Sequence, residues 1–176
     1  MNYAKIKHWD IANGEGVRVS LFVSGCNFHC KDCFNAEAQD FNYGKLYTQE
    51  TEDEIISLVS DSNIDGLSIL GGDPLWQDVS GLHDLCMLVY KLKQLGKTVW
   101  IWSGFVWEDI MHDLKEPDDI ILGRQALISL CDVFIDGKFE SDKKDLRLHW
   151  RGSKNQRIIN VKETLRQNKI ITLQND

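Results

Sequence analysis

Residues 17–23 read Val-Arg-Val-Ser-Leu-Phe-Val, with Val17, Val19, Leu21 and Val23 alternating against Arg18, Ser20 and Phe22. A period of two is that of a strand with one buried face, so this segment is expected to be the first strand, delivering the chain to Gly25 and Cys26. A polar, aromatic-rich loop then runs to about Tyr47. Thr51 with Glu54 three residues on forms a capping-box pattern ahead of Ile55, Ile56, Leu58 and Val59, which predicts a first helix. The run Gly66-Leu67-Ser68-Ile69-Leu70 reads as a short strand closed by Gly71-Gly72-Asp73-Pro74, where glycine permits a tight backbone and proline ends the ladder. Leu82, Leu85, Cys86, Val89 and Leu92 recur at helical spacing, and Gly96 stands where a C-terminal cap is wanted, giving the longest helix. Thr98-Val99-Trp100-Ile101-Trp102 predicts a third strand ending at Ser103-Gly104. A helical region is expected from about Trp107 to Leu114, interrupted by Pro117, and 126–130 leads into Val133-Phe134-Ile135, a strand ending at Asp136-Gly137-Lys138.

Alternating strands and helices with right-handed crossovers build a mainly parallel sheet, and its ligand site lies at the carboxyl ends of the strands. Every glycine or polar motif named so far falls there. The 176 residues suit one domain, expected to span 1–176, and no repeat or low-complexity linker divides them. Residues 161–176 are expected to add a terminal helix or a short strand at most. The charge balance, 27 acidic against 20 basic residues for a net -7, comes without a dense Lys/Arg block, so neither nucleic acid nor an anionic membrane is an expected partner. The opening Met1-Asn2-Tyr3-Ala4-Lys5 lacks the apolar stretch of a leader or spanning helix, so the cytoplasm is the expected location.

Five cysteines without an export signal point to metal or redox use rather than disulfides. Cys26, Cys30 and Cys33 form CxxxCxxC, which lets one compact loop turn three thiolates onto a common centre. A structural zinc site is normally closed by four protein ligands, so that alternative needs His29, Cys86 or Cys131 as the fourth. Cys86 sits on the apolar stripe of a predicted helix and Cys131 abuts a predicted strand, so both are expected in the core. A [4Fe-4S] cluster on three cysteines instead leaves one iron open, the mark of a reactive centre.

CxxxCxxC after a strand resembles the signature of the radical S-adenosylmethionine enzymes. The lead-in, Asp10 to Arg18 and Leu21 to Cys26, resembles that of glycyl-radical-enzyme activases, with Glu15 where those have proline between two glycines. Gly71-Gly72-Asp73-Pro74-Leu75 is similar to the superfamily's glycine motif. Asp136-Gly137-Lys138-Phe139 and Trp150-Arg151-Gly152-Ser153-Lys154-Asn155-Gln156 resemble later motifs of the anaerobic ribonucleoside-triphosphate reductase-activating proteins, so the resemblance runs from about Tyr3 to Arg157.

The resemblance implies an incomplete, open (β/α) barrel whose cluster loop follows the first strand. It implies that S-adenosylmethionine chelates the open iron and is cleaved by one electron. The resulting 5'-deoxyadenosyl radical would take hydrogen from a glycine of the large subunit of the reductase, and a reduced flavodoxin- or ferredoxin-type protein would supply the electron. Asp32, Cys33 and Phe34 occupy the stretch that meets adenine, although the usual aromatic before the last cysteine is here Asp32, with Phe34 following. Gly72 matches the residue that meets the methionyl amino group, and Gly71 accompanies it. Asp73 either caps the next helix or fixes that loop. Ser103, Asp136, Gly137 and Lys138 are cofactor candidates by their position at strand ends. Asn155, with Arg151 and Ser153, is open to cofactor binding, interface or structural use. Trp100, Trp102 and Trp107 are expected to be packing residues. Two rivals remain: a small-molecule radical enzyme such as a 7-carboxy-7-deazaguanine synthase, and a zinc-binding module without catalysis.

Overall fold

The computed structural model describes residues 1–112 and 118–173. In it, the segment expected as the first strand is the second. β2 (Arg18–Val23) is preceded by β1 (Asn2–Asp10), which pairs with it antiparallel. Two irregularities, between Tyr3 and Lys5 and between Lys7 and Asp10, break the period of two that would have announced β1. The remaining strands are β3 (Lys45–Leu46), β4 (Gly66–Gly71), β5 (Thr98–Trp102), β6 (Val133–Asp136) and β7 (Arg157–Asn160). They form one sheet in the order β3-β1-β2-β4-β5-β6-β7. The four middle strands are parallel, as the alternation predicts, while β1, β3 and β7 join antiparallel at the edges.

One apolar row crosses the sheet through Leu21, Ile69, Ile101, Phe134 and Ile159, which are register partners from strand to strand. This face buries against α1 (Gln49–Val59), α2 (Val79–Gln94) and α4 (Asp118–Leu130), with Leu82, Leu85, Leu88, Val89 and Leu92 of α2 supplying much of the contact. α2 is the longest of the described helices. It starts on Asp78, whose carboxylate accepts from the Gly81 N–H, and stops at Gly96 (φ +73°), where the Lys97 N–H bonds the Leu92 carbonyl. The α1 cap lies one turn earlier than expected. Thr48 is the N-cap and Thr51 fills the third position, each hydroxyl accepting from the other's backbone N–H. α3 (Trp107–His112) and α5 (Val161–Gln167) complete the helices. The expected helix end near Leu114 and the break at Pro117 lie outside the described residues. After α5, Thr172 forms a bridge to Ile159, so the tail contributes both a helix and a strand-like contact.

The second face of the sheet is covered by connections rather than helices. All six residues of β2 are buried, Arg18 and Ser20 included, so the expectation of a polar outward face there is corrected. A strand central to a parallel sheet is covered on both sides. The loop 11–16 lies over this face, with Gly14 seated so closely that a Cβ would come 2.9 Å from the Arg18 side chain and 3.1 Å from the Trp100 ring. Trp100, Val133, Ile135 and Ile158 form a small cluster there, with Trp102 and Trp150 packed on it. Among the described residues no helix is long and apolar enough to cross a membrane.

Candidate functional site

A cavity of about 390 Å³ opens at the carboxyl ends of β2, β4, β5 and β6. Its wall brings together Cys26, Cys30, Cys33 and Phe34 from the loop after β2, Gly71, Gly72 and Asp73 after β4, Ser103 and Gly104 after β5, and Gly137 and Phe139 after β6. Four expected residues stand off the wall. Asp32 is exposed on the turn, Asp136 is fully buried behind the cavity, Lys138 lies over the Phe28 ring, and Asn155 donates to the Lys138 carbonyl at 2.8 Å.

The cysteine loop is shaped by unusual backbone. His29 (φ 48°) and Asp32 (φ 58°) both adopt the left-handed conformation, each one residue before a cysteine. Asp and His tolerate that region better than branched residues do, and the two turns curl the loop so that Cys30 and Cys33 face the cavity that Cys26 also lines. The loop's start is pinned by Gly25 N–H to the Ala38 carbonyl (2.8 Å) and Cys26 N–H to the Gln39 carbonyl (3.0 Å). The Phe28 N–H donates to Cys26 Sγ at 3.5 Å. The Phe28 ring sits over Gly104, where a Cβ would lie 2.4 Å from it. Gly104→Val therefore drives the ring, and with it the segment between Cys26 and Cys30, out of place. The expected result is at least a twofold drop in iron bound after anaerobic reconstitution, read by iron analysis, with the fold retained by circular dichroism.

Burial pushes the Cys26 thiol up to about 12 and raises Cys30 as well, so both are protonated at neutral pH until a metal displaces the protons. Among the described residues no group of three or more His, Cys, Asp and Glu is placed to hold a single metal ion. The other possible donors are engaged elsewhere. His29 Nδ1 lies 3.2 Å from Gln39 Oε1. Cys131 is buried, its thiol donating to the Leu127 carbonyl, and Cys86 packs against the same helix-covered core. That core is on the opposite face of the sheet from the loop 11–16. What the cavity offers is three thiols from one loop, a donor set suited to an iron-sulfur cluster.

Asp73 organises the opposite wall. Its carboxylate accepts from Ser103 Oγ (2.9 Å), the Gly104 N–H (2.7 Å) and the Leu75 N–H (2.9 Å). Both uses left open by the sequence are therefore realised: it caps the turn Pro74–Trp76 and ties the loop after β4 to the loop after β5. Burial pushes its carboxyl up to about 6 and the donated bonds pull the other way, which leaves it ionised at neutral pH. The neighbouring glycines are needed for backbone contact. A Cβ at Gly72 would meet the Ala38 carbonyl at 2.5 Å and the Gly25 carbonyl at 2.6 Å, and Gly71 (φ +114°) packs on Val23. The loops after β2 and β4 touch main chain to main chain, with the Asp73 N–H bonding the Gly25 carbonyl.

Asp136, expected as a ligand contact, has both oxygens committed: Arg157 donates to each, and the Trp107 N–H donates to Oδ2 at 2.9 Å. Its carboxylate anchors the strand end, and Gly137 and Phe139 are the residues of that motif that reach the cavity. Several wall residues escaped the sequence reading. Trp102, expected only to pack, lines the cavity and donates its indole N–H to the Trp150 carbonyl at 2.7 Å. The signal was present, since period two on β5 puts Trp102 on the side of Trp100 and away from Ile101. Of the Trp150-to-Gln156 motif between β6 and β7, whose use the sequence left open, Trp150, Arg151, Gly152 and Gln156 line the cavity as well.

Asn13 and Ala12 close the near side, held by Asp10. This buried carboxylate accepts from Ser20 Oγ (2.6 Å), Lys7 Nζ (2.9 Å), the Ala12 N–H (2.9 Å) and Asn13 Nδ2 (2.6 Å). Burial works to raise its pKa, yet those four donors outweigh it and bring it down to about 2. A folded-state value below the unfolded one means that this stabilisation is complete above about pH 4 and fades as pH falls through about 2. Asp10→Asn should therefore cost about 2 kcal/mol at pH 7 and progressively less toward pH 2, read by urea denaturation at each pH.

The chain's relatives agree with this donor set. A family described as "4Fe-4S single cluster domain" matches residues 12–159. An anaerobic ribonucleoside-triphosphate reductase-activating protein of Vibrio cholerae is 41% identical over 162 residues, covering 90% of this chain and 97% of the relative. Proteins of the same name from Escherichia coli (strain K12) and Enterobacteria phage T4 are 36% and 38% identical, covering 92% and 90% of this chain and 100% and 93% of those relatives. With near full-length similarity on both sides and a three-cysteine loop at the head of the cavity, the chain belongs to the family of anaerobic ribonucleoside-triphosphate reductase-activating proteins.

Proposed function

We propose that the chain activates an anaerobic ribonucleoside-triphosphate reductase through a [4Fe-4S] cluster held by Cys26, Cys30 and Cys33, with S-adenosylmethionine on the open iron. The observation that carries this reading is that three thiols from one loop line the cavity, while Cys86 and Cys131 belong to the helix-covered core. When bound, the cluster and S-adenosylmethionine supply a one-electron cleavage whose carbon radical takes hydrogen from a glycine of the reductase.

The chain's part is to position and to shield. Gly71 and Gly72 bring main chain to the cavity wall, and Asp73 holds the Ser103-Gly104 loop against it. Phe34, 95% exposed on the wall, is an adenine-facing ring in this reading, with the backbone of Asp32 and Cys33 beside it. Gly137 completes the far wall. Asp136 and Asn155 act one step behind, fixing Gly137 and Lys138. The sheet with its covered inner face is read as an incomplete, open (β/α) barrel in a single domain spanning 1–176. The reductase docks on the exposed rim, and a reduced flavodoxin- or ferredoxin-type protein in the cytoplasm supplies the electron. Anaerobic reconstitution with iron and sulfide tests the core of this reading. A brown protein that converts S-adenosylmethionine to methionine and 5'-deoxyadenosine with dithionite supports it, and a colourless protein that takes up only zinc overturns it.

A further inference from the structure

Lys138 Nζ lies 4.6 Å from the centroid of the Phe28 ring. That ring is itself fixed, backed by Gly104 and bordered by Trp76 (5.6 Å between centroids) and Phe105 (4.9 Å), both edge to face or nearly so. An ammonium on an aromatic face is held by the ring's quadrupole, so its position follows that of Phe28. Phe28 stands between Cys26 and Cys30 in the loop, and Phe139, next to Lys138, shares the cavity wall with Cys30. The loop after β6 thus sets its cation on the ring that the cysteine loop carries between two of its thiols.

We infer that Lys138 is a tuning residue, parked on Phe28 beside the cysteine loop to raise the reduction potential of the cluster rather than to bind S-adenosylmethionine. This rests on the cluster proposed above. Cluster potentials respond to net charge and to hydrogen bonds at the ligand sulfurs, and reduction adds one negative charge that a nearby ammonium stabilises. Lys138 is exposed, so the effect is partly screened and falls as salt rises.

The test is a redox titration of the reconstituted protein without S-adenosylmethionine, followed by electron paramagnetic resonance of the reduced cluster. Lys138→Met should make reduction about threefold less favourable, roughly 30 mV more negative for a one-electron couple at about 59 mV per tenfold. Lys138→Arg should stay near the parent, and the gap between parent and Lys138→Met should narrow at 1 M salt. Phe28→Leu, which frees the ammonium, should shift the midpoint in the same direction as Lys138→Met. An unchanged midpoint in Lys138→Met, with weakened S-adenosylmethionine binding by calorimetry, would make it a cofactor contact and overturn the tuning role. Failure of the parent protein to assemble any cluster would instead remove the reading on which the inference rests.

Discussion

Replacing Cys26, Cys30 or Cys33 by alanine is expected to abolish S-adenosylmethionine cleavage, while Cys86→Ala and Cys131→Ala are expected to retain it. In the proposed site each of the three supplies a thiolate that the loop has no substitute for, because His29 faces Gln39 and the two spare thiols lie in the helix-covered core. The distinction is one of layer, not of residue type. Cys131 is buried, and truncating its side chain leaves a small cavity worth about 1 kcal/mol. That change is visible as a lower melting temperature and not as lost product. Methionine and 5'-deoxyadenosine are counted for all five variants, beside their iron content. Loss of product in Cys86→Ala at unchanged stability would place a ligand in the wrong layer and refute the assignment.

The second large effect falls far from the cysteines. Arg18, 1% exposed, donates to Ser68 Oγ (2.7 Å), the Leu67 carbonyl (2.7 Å), the Thr98 carbonyl (3.1 Å), Thr98 Oγ1 (3.0 Å) and the Glu15 carbonyl (3.2 Å). It joins the amino ends of β2, β4 and β5 to the loop that closes the near side of the cavity. Burial draws its pKa down to about 10, which leaves it charged at neutral pH. Arg18→Met fills the space but strands buried acceptors, each costing about 1–3 kcal/mol, so a total of roughly 3–5 kcal/mol is expected. Set against an overall stability of about 5–15 kcal/mol, that lowers the melting temperature by on the order of 10 °C. Arg18→Lys should recover little, because one ammonium cannot span the acceptors that the planar fork reaches. A melting temperature within about 2 °C of the parent would show that the network is not what holds the loop.

The sheet's centre and the cysteine loop were legible because their signals are local. Residues 66–71 and 98–102 carry short apolar runs bounded by glycine, and three cysteines within eight positions need no tertiary context. What escaped depends on contacts between distant segments. β1 hides its period behind two irregular pairings, and β7 has four residues, too few to show one. Arg18 and Ser20 look solvent-facing until loop 11–16 is known to cover them. Asp136 looks like a ligand contact at a strand end until Arg157, 21 residues later, is seen to take its charge. The polar residues at strand ends were found by position alone, and position does not tell a wall residue from the one bracing it.

The proposed activation is tested most directly by electron paramagnetic resonance of the reconstituted, dithionite-reduced protein mixed with S-adenosylmethionine and its reductase. A glycyl-radical doublet is expected that appears only when all components are present and that is lost in the Cys26, Cys30 and Cys33 variants. Cleavage of S-adenosylmethionine with no doublet on the reductase would contradict it and favour chemistry on a small molecule.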